Sequence, residues 1–226
     1  MAEVVFEAVK RCGEMNIAAF EAVRGACRVG MTENEVKAQI AAAWRVHAGG
    51  DVPFSGDIVG GVRSGAIEGS PTDNTLKAGD ALIVDIQPTF GEHFADTTRT
   101  FFFGEPSEKQ RHVYAAVADT LTFLETRLRP GVRACDVFAA MQKRLAAWGY
   151  TCPHHAGHAL GREKLSPPEF VPACTDVLEE GMIVALEPGV YVEGEFGVRL
   201  ENNYRITAEG AEKIATYPLE IEYFTV

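Results

Sequence analysis

The sequence has few cysteines, and none of them forms a recognisable motif. Five cysteines are scattered along the 226 residues, and no two of them form a CxxC pair. Their positions are Cys12, Cys27, Cys135, Cys152 and Cys174. This odd, dispersed set argues against a disulfide framework and against a structural zinc site. We therefore expect reduced, mostly buried thiols, which are typical of a cytoplasmic protein.

Long hydrophobic runs and an excess of basic residues are also missing. The N-terminal stretch alternates charged and apolar residues, and no segment approaches the length of a membrane span. The chain has 21 Lys and Arg against 32 Asp and Glu, a formal net charge of −11. This balance argues against nucleic-acid and anionic-membrane partners. Because 46% of the residues are hydrophobic, a substantial core is expected, and we predict one domain over residues 1–226.

Two stretches of the chain, residues 76–103 and 178–207, resemble each other. Each begins with a Leu and a Gly, continues as an apolar strand that ends in an acid, turns, and returns with a second acid. Asp85 corresponds to Glu187 at an offset of 102, and Asp96 corresponds to Glu201 at an offset of 105. The pattern predicts two matched hairpins that carry four carboxylates.

Carboxylates in apolar hairpins need a physical reason. Asp and Glu are poor strand residues, and like charges opposite each other across strands are destabilising. A bound divalent cation would supply the reason, since carboxylate oxygens suit hard and borderline ions. The alternative is that the acids lie on the solvent faces of ordinary hairpins. The matching of two hairpins favours the metal interpretation.

The elements around the two stretches repeat in the same order. Apolar residues at helical spacing predict helices over residues 2–28, 33–47, 106–128 and 134–148. Thr32 and Glu35 predict a capping box at the second helix. Two helices, a loop and an acidic hairpin occur twice, so we expect an α+β fold with similar halves of about 1–105 and 106–226. Further strands are predicted at 152–161 and 219–226, and a loop around the prolines at 167, 168 and 172.

One histidine cluster lies between the two acidic hairpins. On the predicted strand, His154 and His158 point to the same face while His155 points away. Gly157 and Gly161 permit a close approach of backbone or ligand. The motif is weak by itself, but between two acidic hairpins it indicates a histidine ligand.

Five patches in this order resemble one family. They are Asp85, ADTTRTF with Asp96, GHALG with His158, LEPGVY with Glu187, and GVRLEN with Glu201. The chain resembles the catalytic domain of the pita-bread metallopeptidases, which include methionine aminopeptidase, aminopeptidase P and prolidase. The patches are most similar to the aminopeptidase P and prolidase branch, in which an extra N-terminal domain normally precedes this one. The resemblance implies a curved antiparallel sheet with helices on its outer face.

The resemblance also implies roles for individual residues. Asp85 would chelate one metal, Asp96 and Glu201 would bridge two, and His158 and Glu187 would complete the second site. The ions would be Mn, Co, Fe or Zn. Glu187 would also transfer a proton. A substrate contact at His154 and a supporting role for Arg199 are implied in the same way.

Two positions depart from the family pattern. Glu68 and Leu165 stand where the family usually has histidines that hold substrate. The resemblance as a whole makes a dinuclear hydrolase of Xaa-Pro amide bonds the first hypothesis, with a small peptide as substrate and with altered substrate contacts at these two positions. The alternatives are a hydrolase of another small amide or amidine, and a non-catalytic module that kept the fold. The sequence leaves a homodimer open.

Overall fold

Four long helices cover the sheets of this computed structural model, which describes residues 2–161, 163 and 165–226. Their bounds are α1 Ala2–Ala26, α2 Glu33–Ala48, α3 Glu108–Glu125 and α4 Ala134–Ala146. The predicted capping box at Thr32 is present: its side chain accepts from the amide of Glu35, whose carboxylate accepts in return. Val36, Ile40 and Trp44 form the buried stripe of α2. In the described part of the chain, no helix is long and apolar enough to cross a membrane.

The first half contains a three-stranded antiparallel sheet and a short hairpin. Its strands are β1 Gly56–Gly60, β2 Ala81–Ile86, β3 Thr89–Phe90, β4 His93–Phe94 and β5 Thr97–Phe102. The sheet order is β1-β2-β5, and β3 pairs with β4 at the tip of the β2–β5 hairpin. All six residues of β2 are buried, including Asp85. The first acidic hairpin therefore forms as predicted.

The second half repeats this arrangement with additional strands. They are β6 Gly157–Ala159, β7 Ser166–Glu169, β8 Ile183–Leu186, β9 Gly189–Val192, β10 Phe196–Arg199, β11 Asn202–Ile206 and β12 Ala211–Ile214. The larger sheet has the order β12-β11-β8-β6-β7, and β9 pairs with β10. Strands β8 and β11 correspond to β2 and β5, and the β9–β10 hairpin corresponds to β3–β4. The large apolar core contains residues of both halves.

The pseudo-symmetry extends to the strand beside each acidic hairpin. Gly56 of β1 pairs with Ile86 of β2, and Gly157 of β6 pairs with Leu186 of β8. The two glycines have φ angles of 144° and 148°, and a Cβ on either would meet a carbonyl oxygen of the neighbouring strand. Both positions require glycine because backbone approaches there so closely. The prediction of two similar halves is confirmed.

Three local predictions are wrong. The strand predicted over residues 152–161 spans only Gly157–Ala159, so His154 and His155 lie before it. The predicted loop is wrong for Pro167 and Pro168, which lie inside β7, whereas Pro172 lies outside the strands. Both prolines are tolerated because β7 is an edge strand and its pairing with β6 is interrupted by a register shift. The C-terminal strand is a short 3-10 helix, Ile221–Phe224, because its aromatic residues pack into the core; the ring of Phe224 lies 5.3 Å from that of Phe101.

Candidate metal centre

Four carboxylates meet where the strands of the two acidic hairpins end. Asp85 lies near the end of β2, and Asp96 directly precedes β5. Glu187 directly follows β8, and Glu201 lies between β10 and β11. All four are buried, with exposed fractions of 8% or less. The hairpins therefore do not place these acids on solvent faces, and that alternative is excluded.

Three oxygens of this group lie buried without a hydrogen-bond partner among the described residues. They are Asp85 Oδ1, Asp96 Oδ1 and Glu201 Oε1. A buried, unpaired carboxylate oxygen is costly, so such atoms need a ligand. Asp96, His158 and Glu201 each offer one potential ligand atom, and these three atoms lie within 4.8 Å of one another. This set of oxygen and nitrogen donors fits a divalent cation.

The remaining oxygen of each of these three acids accepts a hydrogen bond that fixes its orientation. Gln87 Nε2 donates to Asp96 Oδ2 at 3.0 Å, and Thr98 Oγ1 donates to Glu201 Oε2 at 2.9 Å. Arg199 Nη2 donates to Asp85 Oδ2 at 2.6 Å. One oxygen of each carboxylate is thus held by the protein while the other stays available, an arrangement that orients metal ligands.

In the ion-free protein, burial and mutual repulsion disfavour the ionised form of these carboxylates. Burial, followed by the charge of Asp85, raises the pKa of Asp96 to about 7. Burial raises the pKa of Glu187 to about 8, with the charges of Asp96 and Asp85 adding to it. Burial and the same neighbouring acids also raise the pKa of Glu201 well above its usual range. A cation at the centre would remove this repulsion.

His158 projects from β6 towards the carboxylates and is 1% exposed. Its Nε2 lies 3.6 Å from Asp96 Oδ2 and 3.5 Å from Glu187 Oε1. Its Nδ1 lies 2.9 Å from the carbonyl of Ala159, which favours the proton on Nδ1 and frees Nε2 to bind a metal. Burial lowers its pKa, but the nearby carboxylates of Asp96 and Glu187 outweigh burial and raise it to about 9.

Three further polar side chains contact one another in a row beside the carboxylates. His154 Nε2 lies 2.9 Å from the hydroxyl of Tyr191, and Arg199 Nη1 donates to that hydroxyl at 2.7 Å. Burial and the charge of Arg199 lower the pKa of His154 to about 3, so this ring is neutral. Arg199 Nη1 also donates to the carbonyl of Ile67 at 2.7 Å. The predicted residues His154 and Arg199 are therefore joined through Tyr191, which the sequence did not single out.

His155 does not point away from the centre, so that prediction is wrong. Its Nε2 lies 3.2 Å from Glu187 Oε1, and its ring stacks on that of His158 with centroids 5.6 Å apart. Together with His154 and Glu187 it forms a second group of metal-capable atoms. Strand alternation fails here because the chain reaches β6 only at Gly157. The doublet of adjacent histidines was the only sequence signal.

An open cavity of about 670 Å³ leads to these residues. Glu68 and Leu165 both line it, and Leu165 is 55% exposed. Asp57, not considered from the sequence, lines it too: it is the register partner of Asp85 and occupies in β1 the place that His158 has in β6. Burial, followed by the charge of Asp85, raises the pKa of Asp57. One wall of the cavity is therefore acidic.

Two matched antiparallel halves with carboxylates and a histidine at their centre define a protein of the pita-bread class. The profile of metallopeptidase family M24 matches residues 7–208. The chain belongs to this family, and the predicted resemblance and fold are confirmed.

Individual relatives agree with this assignment. YkvY of Bacillus subtilis is 31% identical over 198 residues, which are 87% of this chain and 54% of that protein. An X-Pro aminopeptidase of Thermotoga maritima superposes with a TM-score of 0.94 at 28% identity, covering 99% of this chain and 64% of that one. The prolidase of Pyrococcus furiosus gives 0.91 at 27%, covering 95% and 64%. The chain thus spans about half to two thirds of the length of the relatives that it matches.

Proposed function

We propose that this chain is a hydrolase that uses two divalent ions to cleave the amide bond of a small peptide, with an Xaa-Pro dipeptide as the first candidate. The observation that carries the proposal is the set of three buried, unpartnered carboxylate oxygens next to His158 at the base of an open cavity. The names of the relatives support the choice of substrate, since they include an Xaa-Pro dipeptidase and an X-Pro aminopeptidase.

The five proposed ligands would be distributed over the two ions. Asp85 would hold one ion, His158 and Glu187 the other, and Asp96 and Glu201 would lie between them. When bound, two such ions lower the pKa of a coordinated water and polarise the scissile carbonyl. Mn, Co, Fe and Zn all suit this donor set.

The protein's own side chains would then manage protons and orientation. Glu187 would accept the proton of the attacking water at its carboxylate, whose Oε1 lies 3.2 Å from His155 Nε2, and pass it to the leaving nitrogen. His154, neutral and tied to Tyr191, would contact the substrate from the cavity wall. Arg199 would keep Asp85 oriented through the 2.6 Å hydrogen bond between them. A location in the cytoplasm, a single domain and a homodimer stay predictions.

A second candidate function follows from the acidic wall. Asp57 and Glu68 line the same cavity as the metal ligands, and neither forms an ion pair with a described residue. Lys37 also lines the cavity, but Asp57 and Glu68 outnumber it, and anionic groups attract cationic ones; a small amide or amidine with a net positive charge is therefore the second candidate.

Metal analysis and a substrate screen test both candidates together. The chain should be stripped with a chelator, reconstituted with Mn or Co and analysed for bound metal; we expect up to two ions per chain. Glu201→Gln should reduce the uptake, because it replaces an anionic ligand in the buried centre. The Glu209→Gln variant, on an exposed turn, is the matched control. Absence of metal uptake above background would refute the proposal.

Steady-state rates on Xaa-Pro dipeptides and on small cationic amides then separate the two candidates. Hydrolysis of the dipeptides alone supports the first candidate, and hydrolysis of the cationic amides alone supports the second. Metal uptake without hydrolysis of either series would contradict both and favour a non-catalytic module.

A further inference from the structure

The chain between β1 and β2 forms a strap that borders the cavity. We define the strap as residues 61–73. It starts with a 3-10 turn, Gly61–Gly65, and contributes Ile67, Glu68, Ser70 and Pro71 to the cavity lining. Both Ile67 and Glu68 are exposed, so packing into the core does not hold the tip of the strap in place. Its position must therefore be fixed by contacts at its base and along its length.

The base of the strap is closed by one buried carboxylate, that of Glu33. This residue is the first of α2 and is 0% exposed. Its Oε1 accepts from the amide of Gly60 at 2.8 Å and from Asn74 Nδ2 at 3.1 Å. Its Oε2 accepts from the amide of Thr72 at 2.9 Å and from Thr72 Oγ1 at 2.8 Å, and it pairs with Arg63.

These donors come from both ends of the strap. Gly60 precedes it, Arg63 lies near its start, Thr72 lies near its end and Asn74 follows it. The side chain of Glu33, which belongs to α2, therefore links the start of the strap to its end. Hydrogen bonds to a charged, buried acceptor are among the stronger ones, and both oxygens of Glu33 are used. Removing the carboxylate would leave the buried amide of Gly60 and the partly buried donors of Thr72 and Asn74 without this partner.

The middle of the strap is attached to the second half of the chain. Arg199 Nη1 donates to the carbonyl of Ile67 at 2.7 Å, and the amide of Gly197 donates to Ser64 Oγ at 2.9 Å. A Cβ on Gly197 would lie 2.0 Å from the carbonyl oxygen of Ser64. The strap therefore runs from the Glu33 carboxylate to the guanidinium that also orients Asp85.

We propose that Glu33 is a positioning residue that fixes the strap and thereby sets the shape of the substrate cavity. It touches none of the proposed metal ligands, so its effect falls on substrate binding rather than on metal binding. Ile67 and Glu68 are the strap residues through which the effect is transmitted. The kinetic part of this inference rests on the proposed function, whereas the structural part does not.

The test is a conservative substitution, Glu33→Gln. Because both oxygens of Glu33 accept hydrogen bonds, a glutamine in either orientation turns an NH₂ group towards donors. The control is Glu35→Gln, which removes the same charge two residues later. Among the described residues, the Glu35 carboxylate accepts only from Thr32, and glutamine also serves in a capping box. Thr72→Val keeps the Glu33 carboxylate and the Thr72 backbone amide but removes the hydroxyl, which donates to Glu33 and accepts from Arg63 and from the amide of Asn74.

Three measurements are made on the metal-loaded full chain. For Glu33→Gln we expect unchanged metal content, amide exchange of residues 60–74 at least about tenfold faster, and a KM raised by about tenfold with kcat within about threefold of the unmodified chain. Thr72→Val should show the same pattern more weakly, and Glu35→Gln should match the unmodified chain.

The outcomes separate this inference from the proposed function. Unchanged exchange in the strap, or a loss of kcat and metal content at unchanged KM, would overturn the positioning role. If Glu33→Gln does not fold, Thr72→Val decides by the same two criteria. If the unmodified chain hydrolyses no peptide or amide, the proposed function falls, while the exchange measurement still decides whether Glu33 holds the strap.

Discussion

The substitution Asp96→Asn should stabilise the metal-free protein and abolish most of its stabilisation by metal. Asp96 is buried between the other carboxylates, and its Oδ1 has no partner among the described residues. Burial, followed by the charge of Asp85, raises its pKa from 3.8 to about 7. Asparagine keeps the shape, and its oxygen can still accept from Gln87, which now donates to Asp96 Oδ2 at 3.0 Å.

The expected magnitude follows from linkage between protonation and folding. At a pH above both values, a pKa raised by about three units costs the folded state about 4 kcal/mol. Because protonation of Glu187 relieves part of the same repulsion, we expect a gain of about 2 kcal/mol at pH 8. For a chain of this length, that corresponds to a Tm higher by about 6 °C.

The sign of the pH dependence gives a second check on the same variant. Between pH 3.8 and about 7 the folded state holds the proton of Asp96 while the unfolded state has lost it. Stability of the unmodified, metal-free protein is therefore lost as the pH rises through this window. The advantage of Asp96→Asn should accordingly be smaller at pH 5 than at pH 8.

Thermal unfolding of chelator-treated protein with and without Mn is the assay. The metal should raise the Tm of the unmodified chain, since it binds the folded state only, and should raise that of Asp96→Asn much less. The exposed Glu209→Gln variant makes the same charge change away from the centre and should behave like the unmodified chain. A metal-free variant that is less stable than the unmodified protein at pH 8 would refute the account of buried repulsion.

Three further predictions concern the centre, the strap and the cavity. A chelator should lower the Tm of the unmodified chain more at pH 8 than at pH 6, because the carboxylates repel each other more when they are ionised; equal losses would contradict this. Gly197→Ala should cost about 3 kcal/mol of stability, because its Cβ would lie 2.0 Å from Ser64 O. Gly25→Ala, on an open face of α1, is the control and should be neutral or stabilising by up to about 1 kcal/mol; a denaturant titration measures both variants. Finally, Leu165→His combined with Glu68→His should raise the rate on Xaa-Pro dipeptides by at least about a hundredfold without changing metal content, since each change supplies a donor beside the substrate. An unmodified chain that already turns over these peptides at about 1 to 1000 per second would show that the two positions do not limit activity.

Local patterns in the sequence were sufficient for the helices and the acidic hairpins. Apolar spacing and the pair Thr32 and Glu35 predicted α2 and its cap, since both depend on residues within one or two turns. The match of Asp85 with Glu187 and of Asp96 with Glu201 predicted two facing hairpins because duplication leaves a nearly constant offset, here 102 and 105. The four carboxylates could also be predicted, because an acid beside an apolar strand is conspicuous without any knowledge of its partners.

Tertiary structure decided the features that depend on residues distant in sequence. His155 reaches Glu187 because the chain enters β6 later than alternation predicted, and a two-residue period cannot reveal where a strand begins. Asp57 became visible only through its register with Asp85. Glu33 resembled any acid in the first turn of a helix, yet its donors come from residues 27 to 41 positions away. A sequence displays neighbours along the chain, whereas a buried carboxylate is defined by the groups that fold around it.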